Sequence, residues 1–321
     1  MMQSFLILAV AVIPAILTTF WFRSRDHERM AAGLAWEAFF VGACSALLVV
    51  AAVTLAGLDA FRGAPVTGAW IRAFAGAAIP EELAKLAVIF VIARRSIDRC
   101  FPHDFIVIGA AVAGGFAALE NIAYIMKAEN QFGTAFIRAL LSVPSHIFHG
   151  VMIGGGLALY EMRRRIIWPV MGVVLAIVFH GLFNFPIMLM DQATALQGTP
   201  WHLIVGGRIT TAIALIGAFM AAALSVHVMR RESRTASRLE PPDASPWRRR
   251  MVLIEMVGWL VLGILLLAGA ALVLVAVIWR SPPGAMPLAG IFLLYACGAL
   301  YQGWAMRRIT RLRRNQSLST E

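Results

Sequence analysis

IRAFAGAAIPEELAKLAVIFVIA, residues 71–93, is the stretch that decides the class of this protein. It is long enough to cross a bilayer, which takes about 20 apolar residues. Yet PEELAK, residues 80–85, sets Glu81, Glu82 and Lys85 in its middle. An ionisable group deep in a bilayer costs roughly 2.5–3.5 kcal/mol on insertion scales, so such groups mark a wet cavity or a bundle interior.

The flanking chain follows the same apolar pattern. Of 321 residues, 60% are hydrophobic and 14% charged, with a mean hydropathy of +0.78, which excludes an ordinary soluble domain. Apolar runs near 3–22, 33–57, 69–93, 104–126, 137–160, 167–190, 203–229, 251–279 and 285–306 predict an all-α, polytopic transmembrane bundle of about nine spans. The first run is followed, not preceded, by Arg23, Arg25 and Arg29, so it reads as a retained span rather than a secretory signal. Alternate connections, 23–32, 94–103, 161–166, 230–250 and 307–321, hold 21 of the 28 basic residues, and the opposite flanks hold 6. That asymmetry predicts the N-terminus outside and the C-terminus in the cytoplasm. Arginines that set topology and meet anionic lipid account for the net charge of +11, so nucleic acid is not an expected partner. Cys44, Cys100 and Cys297 are scattered and form neither a disulfide framework nor a metal motif. The polar stretch ESRTASRLEPPDASPWRRR, 232–250, reads as a linker. The expected organisation is a seven-helix core over 1–230, a cytoplasmic linker over 231–250 and a two-helix extension with a basic tail over 251–321.

The deep polar residues fall on four consecutive spans: Glu81, Glu82 and Lys85, then Glu120 with Asn121, then His146 and His149, then His180 with Asn184. Each set starts roughly 10–15 Å from the outer end of its span, at 1.5 Å per residue. Four helices that place polar groups at one depth predict one site. Glu81 and Lys85 are spaced i,i+4 in the favourable order, so Lys85 is expected to pair with Glu81. His180 and Asn184 share a face by the same spacing. Pro80, Pro144 and Pro186 lie beside these residues, where a cavity can take up the carbonyl that a proline frees. The bland reading is helix packing. A buried ion cluster can fix helix register, a lone histidine can bridge helices, and the small residues of GAAVAGGFAALEN, 109–121, let helices approach closely. Phe116 reads as a wall, and His149 as a residue that orients His146.

In combination the motifs resemble the PrsW family of intramembrane proteases, related to the CAAX-processing and bacteriocin-processing membrane proteases. The resemblance rests on EELAK at 81–85, FAALEN at 116–121, the histidines of SHIFHG at 145–150 and HGLFN at 180–184, in order on successive helices. It covers about residues 70–190. Two histidines compete for the third motif, and His146 is preferred because its depth matches that of His180. The resemblance implies hydrolysis of a peptide bond in a membrane-anchored protein or peptide. In the namesake branch the substrate is a single-span anti-sigma factor, cut on its outer side.

Two routes to hydrolysis stay open on these residues. In a glutamate route, one of Glu81 and Glu82 takes the proton of water, with Glu82 favoured, while His180 and Asn184 stabilise the oxyanion and His146 or Glu120 orients water or moves protons. In a zinc route, Glu120, His146 and His180 bind the metal and a glutamate acts as base. The metal-free route is preferred by a small margin, so no cofactor is certain and zinc stays open. A proton-coupled transporter is the alternative, but it predicts internal repeats that the sequence does not display. A non-catalytic scaffold predicts gaps in the motif set, and there are none. The arginine-rich, nearly lysine-free composition fits an integral, multi-pass protein of a bacterial inner membrane.

Overall fold

The computed structural model describes residues 2–24, 30–58, 61, 65–97, 100–194 and most of 211–227. These residues are all helical or connecting, with no strand among them. The chain runs through α1 (Met2–Ser24), α2 (Ala32–Leu55), α3 (Pro65–Trp70), α4 (Ile79–Arg95), α5 (Asp104–Lys127), α6 (Gln131–Ile137), α7 (Val143–Arg163) and α8 (Ile167–Thr194). A further apolar helix covers Ile213–Leu224. Five helices are long and apolar enough to cross a membrane: Ile7–Ser24, Ala32–Leu55, Asp104–Lys127, Gln131–Arg163 and Ile167–Met190. This is an integral membrane protein. The expected span at 69–93 is helical too, but its charges set it apart from those five. The linker and the spans expected at 251–279 and 285–306 lie outside the described residues.

Helix α5 is the axis of the bundle, with 19 of its 24 residues buried. It packs against α1, α2, α4 and α7. Its small residues explain how. A Cβ on Gly109 would stand 2.1 Å from the Gly150 carbonyl oxygen of α7, and one on Gly115 would stand 1.7 Å from that of Phe39 on α2. Backbones that touch in this way leave room for nothing larger than glycine, and close packing replaces the missing hydrophobic drive between helices in lipid.

Two helices widen just before their prolines. Between α3 and α4 the segment Ile71–Ala78 is π-helical, and the Ile79 amide reaches back five residues to the Phe74 carbonyl. Between α6 and α7, Arg138–Ser142 does the same, with the Val143 amide on the Arg138 carbonyl. Proline cannot donate a backbone hydrogen bond and its ring crowds the preceding turn, and a wide turn relieves both. Pro80 and Pro144 therefore re-aim the residues that follow them, Glu81 and Glu82 in one helix and His146 in the other. Pro186 lies inside α8 without such a turn.

The charged helix ends are tied together elsewhere. Arg94 at the end of α4 bonds Glu161 at 2.9 Å, Arg164 bonds the same carboxylate at 2.7 Å, and Arg95 pairs with Glu37 near the start of α2.

Candidate active site

The polar residues of four helices converge. Pro80 at the head of α4 starts the turn that carries Glu81 and Glu82, with Lys85 one turn on; all three are buried. The Lys85 ammonium is fully enclosed. It lies 2.7 Å from Glu82 Oε1, 2.8 Å from His146 Nδ1 and 4.4 Å over the Phe116 ring. Glu81 Oε2 is further off, at 3.8 Å. The expected Glu81–Lys85 ion pair is present but long, and Glu82 takes the close contact. Lys85 must also satisfy His146 on α7, and Glu82 is the glutamate that faces α7 and α8.

Glu82 is heavily engaged. Its Oε1 accepts from Lys85 and lies 2.6 Å from His180 Nδ1 and 3.6 Å from His149 Nδ1. Glu81 Oε2 is buried without a hydrogen bond, and its nearest polar neighbours are Lys85 and His180 Nε2, the latter at 3.9 Å. Glu120 projects from α5 toward α7, where its Oε2 sits 2.8 Å from His146 Nε2. Arg138 donates to the same oxygen at 2.8 Å and, through Nε, to Asn121 Oδ1 at 2.7 Å. Asn121 in turn donates to the Ala11 carbonyl of α1.

His149 does not bond His146. Its ring stacks on His180 at 5.2 Å, and both of its nitrogens are buried without a hydrogen bond. The Phe116 ring lies against both Lys85 and His146. Asn184 lies one turn beyond His180 on α8 and is half-buried. A Cβ on Gly181, next to His180, would stand 2.3 Å from the Phe74 ring, so the wide turn before Pro80 is seated directly against the helix that carries His180.

Two features define the chemistry of this group. Lys85 matches the charge of Glu82 and Arg138 that of Glu120, which leaves Glu81 as the one carboxylate without its own cation. Buried polar atoms are normally satisfied, yet oxygens of Glu81 and Glu82 and both nitrogens of His149 are not. Unsatisfied polar atoms that converge on one place suit a water, a substrate or a metal.

A metal is testable on the donors. Glu82, His146, His149 and His180 offer ligand atoms within 4.8 Å of one another, and Glu81, Glu120 and His146 form a second such group. These donor types fit zinc. His146, however, has one nitrogen on Lys85 and the other on Glu120. The donors left to turn to an ion are His149, His180 through Nε2, and the unbonded oxygens of Glu81 and Glu82. The set Glu120, His146 and His180 is therefore brought together only in part.

Arg138 was not among the site residues expected from sequence, where it counted as one of the basic residues on the outer flanks. The available signal was a carboxylate deep in α5 that needs a cation, and an arginine in the first turn of the next expected span.

The family model described as PrsW family intramembrane metalloprotease matches residues 30–213, which hold every residue of this cluster. The Protease PrsW of Halalkalibacterium halodurans is 26% identical over 204 residues, 63% of this chain and 92% of that protein. The Protease PrsW of Geobacillus kaustophilus is 28% identical over 191 residues, 59% of this chain and 82% of that protein. That of Bacillus subtilis is 25% identical over 185 residues, 56% and 82% of the two chains. No solved structure matches this chain. The family match extends over more than half of the sequence and encloses the whole cluster, and the chain belongs to the PrsW family of intramembrane proteases.

Proposed function

We propose that this protein hydrolyses a peptide bond of a membrane-anchored protein, with Glu81 as the general base. The observation that carries the reading is the contrast between the two glutamates. Glu82 Oε1 is taken up at close range by Lys85 and His180, leaving its Oε2 unbonded, whereas Glu81 Oε2 has no hydrogen bond and only long contacts, 3.8 Å to Lys85 and 3.9 Å to His180. The geometry thus favours exchanging the roles that the sequence alone suggested.

Glu81 takes a proton from water as the water oxygen attacks the scissile carbonyl carbon, and returns it to the departing amine. Glu82 accepts from His180 Nδ1, so a protonated His180 presents Nε2–H to the developing oxyanion, with the Asn184 amide as a second donor. Lys85 holds Glu82 in place. One observation favours a zinc route as well. A carboxylate on Nδ1 is the arrangement that leaves Nε2 of a neutral histidine as a metal ligand, and His149 stacks beside it with both nitrogens unbonded. A zinc ion held there would polarise the carbonyl and acidify the attacking water.

The arginine asymmetry supports an N-out, C-in, multi-pass protein of about nine spans in a bacterial inner membrane. In that orientation the cluster lies toward the outer leaflet, which fits an outer-side cut in a single-span protein such as an anti-sigma factor. The test compares membrane-protein N-termini by mass spectrometry in cells that make the native chain or Glu81→Gln at equal abundance. New N-termini near the outer end of a single-span protein, absent with the variant, support proteolysis and name the substrate. Matching profiles would contradict it. Repeating the cleavage with a chelator, then with zinc restored, separates the two routes.

A further inference from the structure

We propose that Arg138 is a positioning residue that acts through Glu120 to hold His146 in a single tautomer, an inference that rests on the protease reading above. The guanidinium is pinned on three sides. It bonds Glu120 Oε2 and Asn121 Oδ1, and it lies 4.0 Å from the centre of the Tyr124 ring. Asn121 is itself anchored to α1 through the Ala11 carbonyl. A planar fork that bonds two acceptors while stacked on an aromatic face has a fixed orientation that a lysine cannot reproduce.

Glu120 passes that orientation on. Its Oε2 is shared between Arg138 Nη2 and His146 Nε2. On the other side of the imidazole, Lys85 donates to Nδ1, because an ammonium has protons and no acceptor. His146 therefore accepts at Nδ1 and donates from Nε2, and both ends of the ring are fixed by charged partners. The chain Glu82–Lys85–His146–Glu120–Arg138–Asn121 is continuous, with every link at 2.7–2.8 Å. Arg138 also opens the π-helical segment that leads through Pro144 to His146, so one short stretch carries both the clamp and the ring it orients.

In this arrangement His146 has no free nitrogen. It donates a hydrogen bond to Glu120 and lies beside Glu81; it does not take the proton of water. Arg138 keeps Glu120 aimed at Nε2.

Two measurements test this. The first is a double-mutant cycle on cleavage of the identified substrate. Arg138→Ala should lower kcat about 10–100-fold with KM unchanged, the usual range for a residue that orients an active group. In a Glu120→Gln background the same change should alter kcat by less than about 2-fold, because its effect passes through Glu120. Arg138→Lys, which keeps the charge but not the fork, should lose about 10-fold. Equal losses from Arg138→Ala in both backgrounds, or full activity in Arg138→Lys, would overturn the proposal. The second measurement needs no activity. 15N spectra of histidine-labelled protein in bilayers, with His146 assigned by its loss in His146→Asn, should report an Nε2–H tautomer in the native chain and a mixture in Arg138→Lys. The same mixture in both would overturn it too. Native protein that cleaves nothing yet displays the single tautomer would refute the protease reading and leave the clamp intact.

Discussion

Two groups of charges around buried carboxylates, some 20 Å apart along α4 at 1.5 Å per residue, differ in what they leave undone. At one end of the bundle, Glu161 is closed off by Arg94 and Arg164, and Glu37 by Arg95. Neither carboxylate has a buried unsatisfied oxygen, and no histidine takes part in these ion pairs. In the other group, Lys85 and Arg138 neutralise two of three carboxylates, three histidines lie among them, and oxygens of Glu81 and Glu82 stay unbonded. Paired charge at a helix end holds helices in register. Unfinished pairing in a buried place is costly, and it persists where something else is meant to bind.

Breaking each group should therefore give different losses. The largest effect is expected from Glu81→Gln, which keeps size and polarity but removes the base. Cleavage should fall by about 10²–10⁴-fold, with the unfolding midpoint in detergent unchanged. Lys85→Met should cost stability as well as activity, about 3–5 kcal/mol, because Glu82 is then left buried without its cation. Denaturation followed by helical signal measures that cost. Gly109→Ala tests the frame rather than the chemistry. Its Cβ would drive α5 from α7 at the Gly150 carbonyl and shift the histidines away from Glu120, and about 1–3 kcal/mol of destabilisation is expected from the overpacking, with reduced cleavage. Glu161→Gln has the smallest effect on cleavage. Its pair with Arg164, 62% exposed, is worth at most about 1 kcal/mol, and its more enclosed bond to Arg94 about 1.5–3 kcal/mol, so some stability is lost while cleavage should match that of the native chain.

Much of this contrast could be read from the sequence because charge in an apolar run is conspicuous. PEELAK, Glu120, His146 and His180 stood out individually, and counting residues from the span ends brought them to one depth. The all-helical class followed from the apolar runs, and the glycines of α5 announced a close crossing without naming its partner. What stayed hidden depended on side chains choosing among neighbours on other helices. The i,i+4 rule favoured Glu81 for Lys85, but His146 draws the ammonium toward Glu82. His149 read as support for His146, and its ring both meets His146 edge-on and stacks on His180. Arg138 was absorbed into a topology count because nothing local ties it to Glu120, 18 residues away. The prolines at 80 and 144 signalled distortion, though not that a widened turn would aim the residues after them.

The most direct test of the account sets three versions side by side in vesicles with the substrate that N-terminal profiling identifies: the native chain, Glu81→Gln and Glu161→Gln. The account predicts cleavage at one site by the native chain and by Glu161→Gln at the same rate, and none above background by Glu81→Gln. Cleavage by Glu81→Gln at the native rate, or equal loss in both variants, would contradict the claim that Glu81, the carboxylate held only by long contacts, performs the hydrolysis.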